Sequence, residues 1–301
     1  MPLVCLTTRD TGYFRHMVTV VSDSVACLAP ELRSKLGIGM VGICITLDGT
    51  MYHDGIDLTA EEFYDRMDET ISHTTASPSI GDWLEVMEEA VDDGTDGLLV
   101  VTLPQKFSST HDTACAAPKL IDAPAVVVDA NTVAAAEGLY VRRLAEEAQH
   151  GATLDELVRH AQQRRGSYHL EFVVEGLRRL AHSGRMPSAL ARFGDAIDLK
   201  PMLSLGSGAE IRPVGAVRGM RRGIDRVYRR VLEAFEPDAP GRAVVSHALL
   251  EPDARRLAER IADERPNLEL DIALFTPVMA ATTGPIIGVA WEDPALAAMD
   301  A

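Results

Sequence analysis

The chain is poor in positive charge. Against 45 aspartates and glutamates it sets 29 lysines and arginines, for a net charge of −16 and a pI near 4.9. That sign excludes nonspecific binding to nucleic acid or to an anionic membrane, whose phosphates require a basic surface. Cysteine is scarce too. Cys5, Cys27, Cys44 and Cys115 lie far apart, with no C-x-x-C pair and no histidine at zinc-finger spacing. Reduced thiols acting as small hydrophobes in a cytoplasmic protein are the expectation. No run approaches the roughly 18 apolar residues of a membrane span, so no stable membrane insertion is expected. The opening MPLVCLTTRDTGYFRHM has no basic start followed by an apolar stretch, and an unprocessed protein is expected. Missing as well are G-x-x-x-x-G-K-[ST], G-x-S-x-G and H-E-x-x-H, and no paired carboxylates stand out from ordinary surface acids. Nothing implies a cofactor or a metal, and no catalytic residues are assigned. Internal repeats and low-complexity tracts are absent.

What remains is a core-forming pattern. With 301 residues, 47% of them hydrophobic, the chain can bury one large or two medium cores. VTVVS at 18–22 reads as a strand, and PELRSKL after it as a helix. GIGMVGICITL then carries G-x-G-x-x-G at Gly37, Gly39 and Gly42. A dinucleotide fingerprint needs a strand before the glycines and a helix after them. Here the order is reversed, so the glycines read as a turn and the crowded start of a strand. Capping boxes at Thr59/Glu62 and Thr153/Glu156 mark two helix starts. Ser79 and Asp82 are placed to cap a third helix, which Gly94 ends. GLLVVTL and APAVVVDA are apolar along their whole length and alternate with helical segments, which argues a parallel sheet covered on both faces.

After Gly151 the pattern changes. KPMLSLGSG and AEIRPVGAVRG are close enough to form a hairpin, implying antiparallel pairing. A domain boundary is placed near residue 150, with residues 1–17 as a loose extension, 18–150 as an N-terminal α/β domain and 151–301 as a second. TTGP and IIGVAWED read as a last pair of segments.

Two runs rich in hydroxyls stand out. HTTASPS at 73–79 reads as a connection between helices, and KFSSTHD at 106–112 follows a strand and opens a helix. In an open parallel sheet ligands gather where strands end and helices begin. Hydroxyls there can donate to the oxygens of an anion, and Thr75 and Ser108 are the chosen donors. Taken singly, Ser79, Ser108 and Ser109 are each better read as helix caps, and only together do the two runs lean toward a ligand. Asp23 and Asp54 could serve as acid or base, although loop aspartates more often cap or turn the chain. His247 ends a strand, where a lone histidine is usually just hydrogen-bonded.

In order, VTVVSDSVACL, YHDGIDLTAEEFYDRM, TTASPS, FSSTHDTA, LRRLAHSGRM, IDLKPMLSL, GAVRGMRRGIDRV and TTGP resemble motifs of the DegV family. These are bacterial fatty-acid-binding proteins that present the lipid to a separate fatty acid kinase. The resemblance runs from about Val18 to the final strand. It implies a doubly wound, mostly parallel N-terminal domain and a second α/β domain with a mixed or antiparallel sheet. A long-chain fatty acid would lie in a tunnel between them, its carboxylate on hydroxyls. Carried over by motif, Thr75, Ser108 and Arg185 become ligand-binding residues, with Ser109, Thr110, Thr282 and Thr283 beside them. Thr282 stands where the family has histidine, and Ala76, Ser77, Pro104, Gln105, Ser109 and Cys27 also depart from its pattern.

Arg218, Arg222, Arg226 and Arg230 recur every fourth residue and would line one helical stripe if the helix begins that early. Their unbalanced charge makes Arg218, Arg222 and Arg226 candidates for binding the kinase. The function expected is a non-enzymatic fatty-acid carrier. The alternative is a small-molecule enzyme or phosphotransferase on the same scaffold, using Asp23 or Asp54.

Overall fold

The computed structural model describes residues 17–67, 72–186, 199–206 and 208–297. The first half runs β1 (Val18–Asp23), α1 (Pro30–Leu36), β2 (Gly39–Val41), β3 (Cys44–Leu47), β4 (Thr50–His53), α2 (Ala60–Arg66), β5 (His73–Ala76), α3 (Ile80–Asp92), β6 (Gly97–Thr102), α4 (Thr110–Ala116), β7 (Ala125–Asp129) and α5 (Ala134–Gln149). The second runs α6 (Leu154–Arg164), β8 (Tyr168–Val174), α7 (Arg178–His182), β9 (Leu199–Gly206), β10 (Glu210–Arg218), α8 (Met220–Ala234), β11 (Gly241–Ala248), α9 (Glu251–Glu264), β12 (Leu268–Leu274), α10 (Pro277–Thr283), β13 (Ile286–Glu292) and α11 (Pro294–Ala297). All but Met17 of the loose extension expected at the N-terminus lies outside the described residues, as does most of SGRMPSALARFGDAID.

The apolar strands pair as their composition requires. β6 is buried along its entire length, so it can only be an inner strand covered on both faces. It lies in a parallel sheet of order β2-β1-β6-β7. β8 to β13 form a six-stranded sheet of order β10-β9-β8-β13-β11-β12, antiparallel except for β11 beside β12. The fold is α/β with a parallel sheet first and a mixed sheet second, and β9 and β10 pair antiparallel as expected.

Helix α5 lies between the sheets. It packs on β1 to one side and on β8, β11 and β13 to the other, burying Leu139, Tyr140, Val141 and Leu144. Gly138 permits the close approach, since a Cβ there would sit 2.4 Å from the Ala26 carbonyl oxygen. The outer faces are covered by α3 and α4 on the parallel sheet and by α8 and α9 on the mixed one.

Both capping boxes form as read, and Ser79 caps α3 with Asp82 as its reciprocal partner. Gly94 sits at positive φ just past that helix. The G-x-G-x-x-G run behaves as a turn and a crowded strand start. Gly37 ends α1 in the left-handed conformation, and a Cβ on Gly42 would lie 3.0 Å from the Asp54 carbonyl.

Three expectations are corrected. HTTASPS is not simply a connection between helices, because His73–Ala76 forms β5, paired with β3 in a small antiparallel sheet of order β4-β3-β5. Its partner hairpin, β3-β4, turns on Asp48-Gly49, both at positive φ, the Asp-Gly dipeptide being a hairpin signal. TTGP is not a segment of its own paired with IIGVAWED, since Thr282 and Thr283 end helix α10. Arg218 is not on the arginine helix: it closes β10, opposite Leu199, and α8 begins only at Met220.

Candidate functional site

An apolar cavity of about 420 Å³ lies between the two halves, within the size range of small-molecule sites. Side-chain alternation in the mixed sheet builds one wall. Leu170 and Phe172 of β8 and Leu205 of β9 face the cavity, while Val173 and Met202 point through the sheet into the core under α8 and α9. Val25, Ile43 and Leu103 come from the first half, and Phe275, Val278 and Ile286 from α10 and its flanks.

One end of the cavity is polar. Thr75 of β5, Ala76 and, just beyond the strand, Ser77 all reach the wall. The Ser77 hydroxyl stands 2.9 Å from that of Ser108 and 2.9 Å from that of Ser109. Ser108 in turn lies 2.8 Å from the Thr110 hydroxyl. Arg185 reaches the same end, where its Nε donates to the Phe107 carbonyl and one Nη to the Ser183 carbonyl. A guanidinium has five N–H donors, so these bonds leave others for a ligand. No acidic residue lines the cavity among the described residues. A more polar chamber of about 740 Å³ adjoins it, sharing Thr75, Arg185, Thr282 and Thr283 and adding His73, Arg178, Arg179 and His182.

The candidates named from sequence separate into groups. Thr75, Ser108, Ser109 and Arg185 meet at the polar end. Thr282 and Thr283 border it, but their hydroxyls donate back to the Val278 and Met279 carbonyls of their own helix. Thr110 is buried and touches Ser108 without joining the cavity wall. Ser77, which the sequence reading treated only as a departure from a motif, is the hub of the hydroxyl chain. Its signal was its place in a run of hydroxyls two residues beyond Thr75. Of the alternatives offered as caps, Ser79 is one, whereas Ser109 at the start of α4 makes no side-chain capping bond.

The two aspartates are structural braces. Asp23 accepts from the Val25 and Leu103 amides at 3.0 and 2.7 Å. Asp54 accepts from the Ser24 hydroxyl at 2.6 Å and the Val278 amide at 3.3 Å, and Ser24 takes the Ile43 amide. Burial pushes Asp23 up to about 7 and Asp54 up to about 6. Neither lines the cavity. His247 is buried with its Nδ1 unpartnered, and burial holds its pKa below the ordinary imidazole value.

Arg222 and Arg226 are exposed on α8, whose buried face packs on the side of the mixed sheet away from the cavity. Arg230 is paired, with Glu171 at 3.0 Å and Glu233 at 2.8 Å.

The sequence model of the family described as "Uncharacterised protein, DegV family" matches residues 17–293. The chain belongs to the DegV family. A DegV domain-containing protein of Streptomyces coelicolor is 32% identical over 281 residues, covering 91% of this chain and 98% of the relative. A solved DegV family protein from Thermus thermophilus, described by its fatty acid binding, is 26% identical with a TM-score of 0.82, over 92% of this chain and 99% of that one. The Streptococcus pneumoniae fatty acid kinase B3 protein, solved loaded with linoleic acid, shares the fold at a TM-score of 0.77. It is 18% identical, with 92% of this chain and 99% of that one covered. At the polar end the serine hydroxyls are bonded chiefly to one another, and Ser108 also accepts the Thr110 amide at 3.3 Å. Among the described residues no helix is long and apolar enough to cross a membrane.

Proposed function

We propose that this protein is a non-catalytic cytoplasmic carrier that binds one long-chain fatty acid and presents its carboxylate to a separate kinase. The observation that carries this reading is the asymmetry of the cavity: apolar walls ending in hydroxyls and the Arg185 guanidinium, with no acid among the described lining residues to repel an anion. The tail would lie against Leu170, Phe172, Leu205 and Phe275, each buried methylene contributing roughly 0.8 kcal/mol. The carboxylate would accept from Thr75, Ser77, Ser108 and Arg185, and charge-assisted bonds of this kind are the strong ones. We take residues 18–150 and 151–301 as the two domains that enclose the lipid. The enzyme reading loses its acid and base, because Asp23 and Asp54 are bonded to their own chain away from the cavity.

Native mass spectrometry of the purified protein, with mass analysis of an organic extract, tests the proposal. One fatty acid per chain is expected. An apo mass that takes up neither palmitate nor oleate would overturn it.

A further inference from the structure

Away from the cavity wall, three metal-ligating side chains of different chemistry converge. Cys44 of β3 and His53 of β4 are directly opposed in the antiparallel register, which puts both side chains on one face of the small sheet. Asp82 approaches from the first turn of α3. One of its carboxylate oxygens accepts the Ser79 amide at 2.7 Å, in the capping box. The other lies 3.8 Å from His53 Nε2. One donor atom each from Cys44, His53 and Asp82 all fall within 4.8 Å of one another.

The opposite edge of the imidazole is also held. His53 Nδ1 stands 3.3 Å from the Asp57 carboxylate, and the Asp57 side chain also accepts the His53 amide at 2.5 Å. A carboxylate behind a histidine fixes the tautomer and leaves the far nitrogen as a ligand. Here that nitrogen faces Asp82.

We propose that Cys44, His53 and Asp82 form a binding site for a zinc-class divalent ion, with Asp57 as the positioning residue behind the imidazole. Thiolate, imidazole and carboxylate together suit a borderline-soft ion such as Zn²⁺ or Co²⁺ and do not suit Mg²⁺ or Ca²⁺. Around tetrahedral zinc, with Zn–S about 2.3 Å and Zn–N about 2.0 Å, donor atoms stand roughly 3.5 Å apart. From separations of up to 4.8 Å, closure therefore asks for a contraction of roughly 1.3 Å at most between any two donor atoms. Cys44 is buried while His53 and Asp82 are part-exposed, which supplies an approach for the ion and room for water at a fourth position. Burial and the nearby charges of Asp82 and Asp57 hold the Cys44 thiol above its ordinary pKa, and a bound cation would reverse that balance.

The site would clamp β3 and β4 to the start of α3. Cys44 is also paired with Ala76 of β5, between Thr75 and Ser77, so the ion would tie down the strand that carries the polar end of the cavity. Ion binding stands independently of the lipid reading, and only this coupling rests on it.

Cobalt titration of chelator-treated full-length protein, followed by absorption, is the test. One equivalent of Co²⁺ should give a thiolate-to-cobalt charge-transfer band with tetrahedral d–d bands, displaced by Zn²⁺. Cys44→Ser should abolish the charge-transfer band, His53→Gln and Asp82→Asn should weaken binding, and Cys115→Ser should leave it intact. Asp57→Asn should lower affinity roughly 10- to 100-fold. Zn²⁺ should raise the melting temperature of the natural protein but not of His53→Gln. No thiolate band at saturating Co²⁺, or a band that survives in Cys44→Ser, would overturn the site whatever the lipid measurements show.

Discussion

The hydroxyls around Ser77 and the carboxylates of Asp23 and Asp54 look alike as sequence, each a small polar cluster where a strand ends. The structure treats them oppositely. The carboxylates are buried, and each accepts two bonds from its own chain, so they hold the loops that shape the cavity. The serines are bonded mainly to one another and border the cavity. Mutual hydroxyl bonds can be exchanged for bonds to an incoming anion at small cost, whereas a buried brace cannot be released without leaving amides unpaired. Whether a polar residue serves ligand or fold thus depends on who already uses its hydrogen bonds.

The sharpest way to break this comparison is Asp54→Ala. It strips the Ser24 hydroxyl and the Val278 amide of their acceptor, and should cost roughly 2–5 kcal/mol of stability, read from urea unfolding. A loss no larger than that of a surface variant would remove Asp54 from the braces.

Ser77→Ala, Ser108→Ala and Arg185→Ala should do the reverse. Each is expected to weaken fatty-acid binding by roughly 1.5–3 kcal/mol, the worth of one bond to a charged group, with the unfolding midpoint nearly unmoved. Calorimetric titration with oleate against thermal melts separates the two effects. If melting falls and affinity holds, the serines belong with the braces.

The carboxylates should also govern the pH profile. Their ordinary value is 3.8, and burial raises Asp23 to about 7 and Asp54 to about 6. Between about pH 4 and 7 the folded protein therefore holds protons that the unfolded chain has released. Stability from these groups is complete below that window and is lost as pH rises through it. The melting temperature should stand a few degrees higher at mildly acidic than at mildly alkaline pH, and the double variant Asp23→Asn, Asp54→Asn should flatten that slope. A profile that rises with pH in the natural protein contradicts the assignment.

Two smaller effects complete the series. Thr282→His should add a step in ligand affinity near the ordinary imidazole pKa of about 6.5, with tighter binding on the acid side. Arg222→Glu combined with Arg226→Glu, on the far side of the mixed sheet, should change lipid affinity by less than about 0.5 kcal/mol. The same variant assayed with the cognate kinase tests the arginines as a docking surface, with loss of salt-sensitive phosphorylation expected. Undiminished phosphorylation returns them to ordinary surface.

Local signals were legible wherever the chain decides structure within a few residues. The capping boxes at Thr59 and Thr153, the reversed glycine pattern at residues 37–42 and the largely apolar β6 and β7 all formed as read. Strand β5 was not legible, because HTTA carries no apolar alternation and is ordered by its pairing with β3. Nor was the end of α10, where the two threonines spend their hydroxyls on carbonyls four residues back. The start of α8 was misjudged because Arg218 fits a helical period and a strand end equally well, and its pairing with Leu199 decides between them.

By itself the sequence determined most of the alternation of helices and strands, the parallel sheet of the first half and the β9-β10 hairpin of the second, and the family. The alternation and the two sheets follow from hydrophobic period and from caps that act over three or four residues, and the family from the order of its motifs along the chain. Only the tertiary structure decided that Ser77 joins Ser108 and Ser109 across 31 and 32 residues, that Asp54 is bound to an amide 224 residues away, and that Cys44, His53 and Asp82 share one corner. The physical reason is that a side chain's chemistry is set by its neighbours and its access to water, and for these residues the neighbours come from distant parts of the chain.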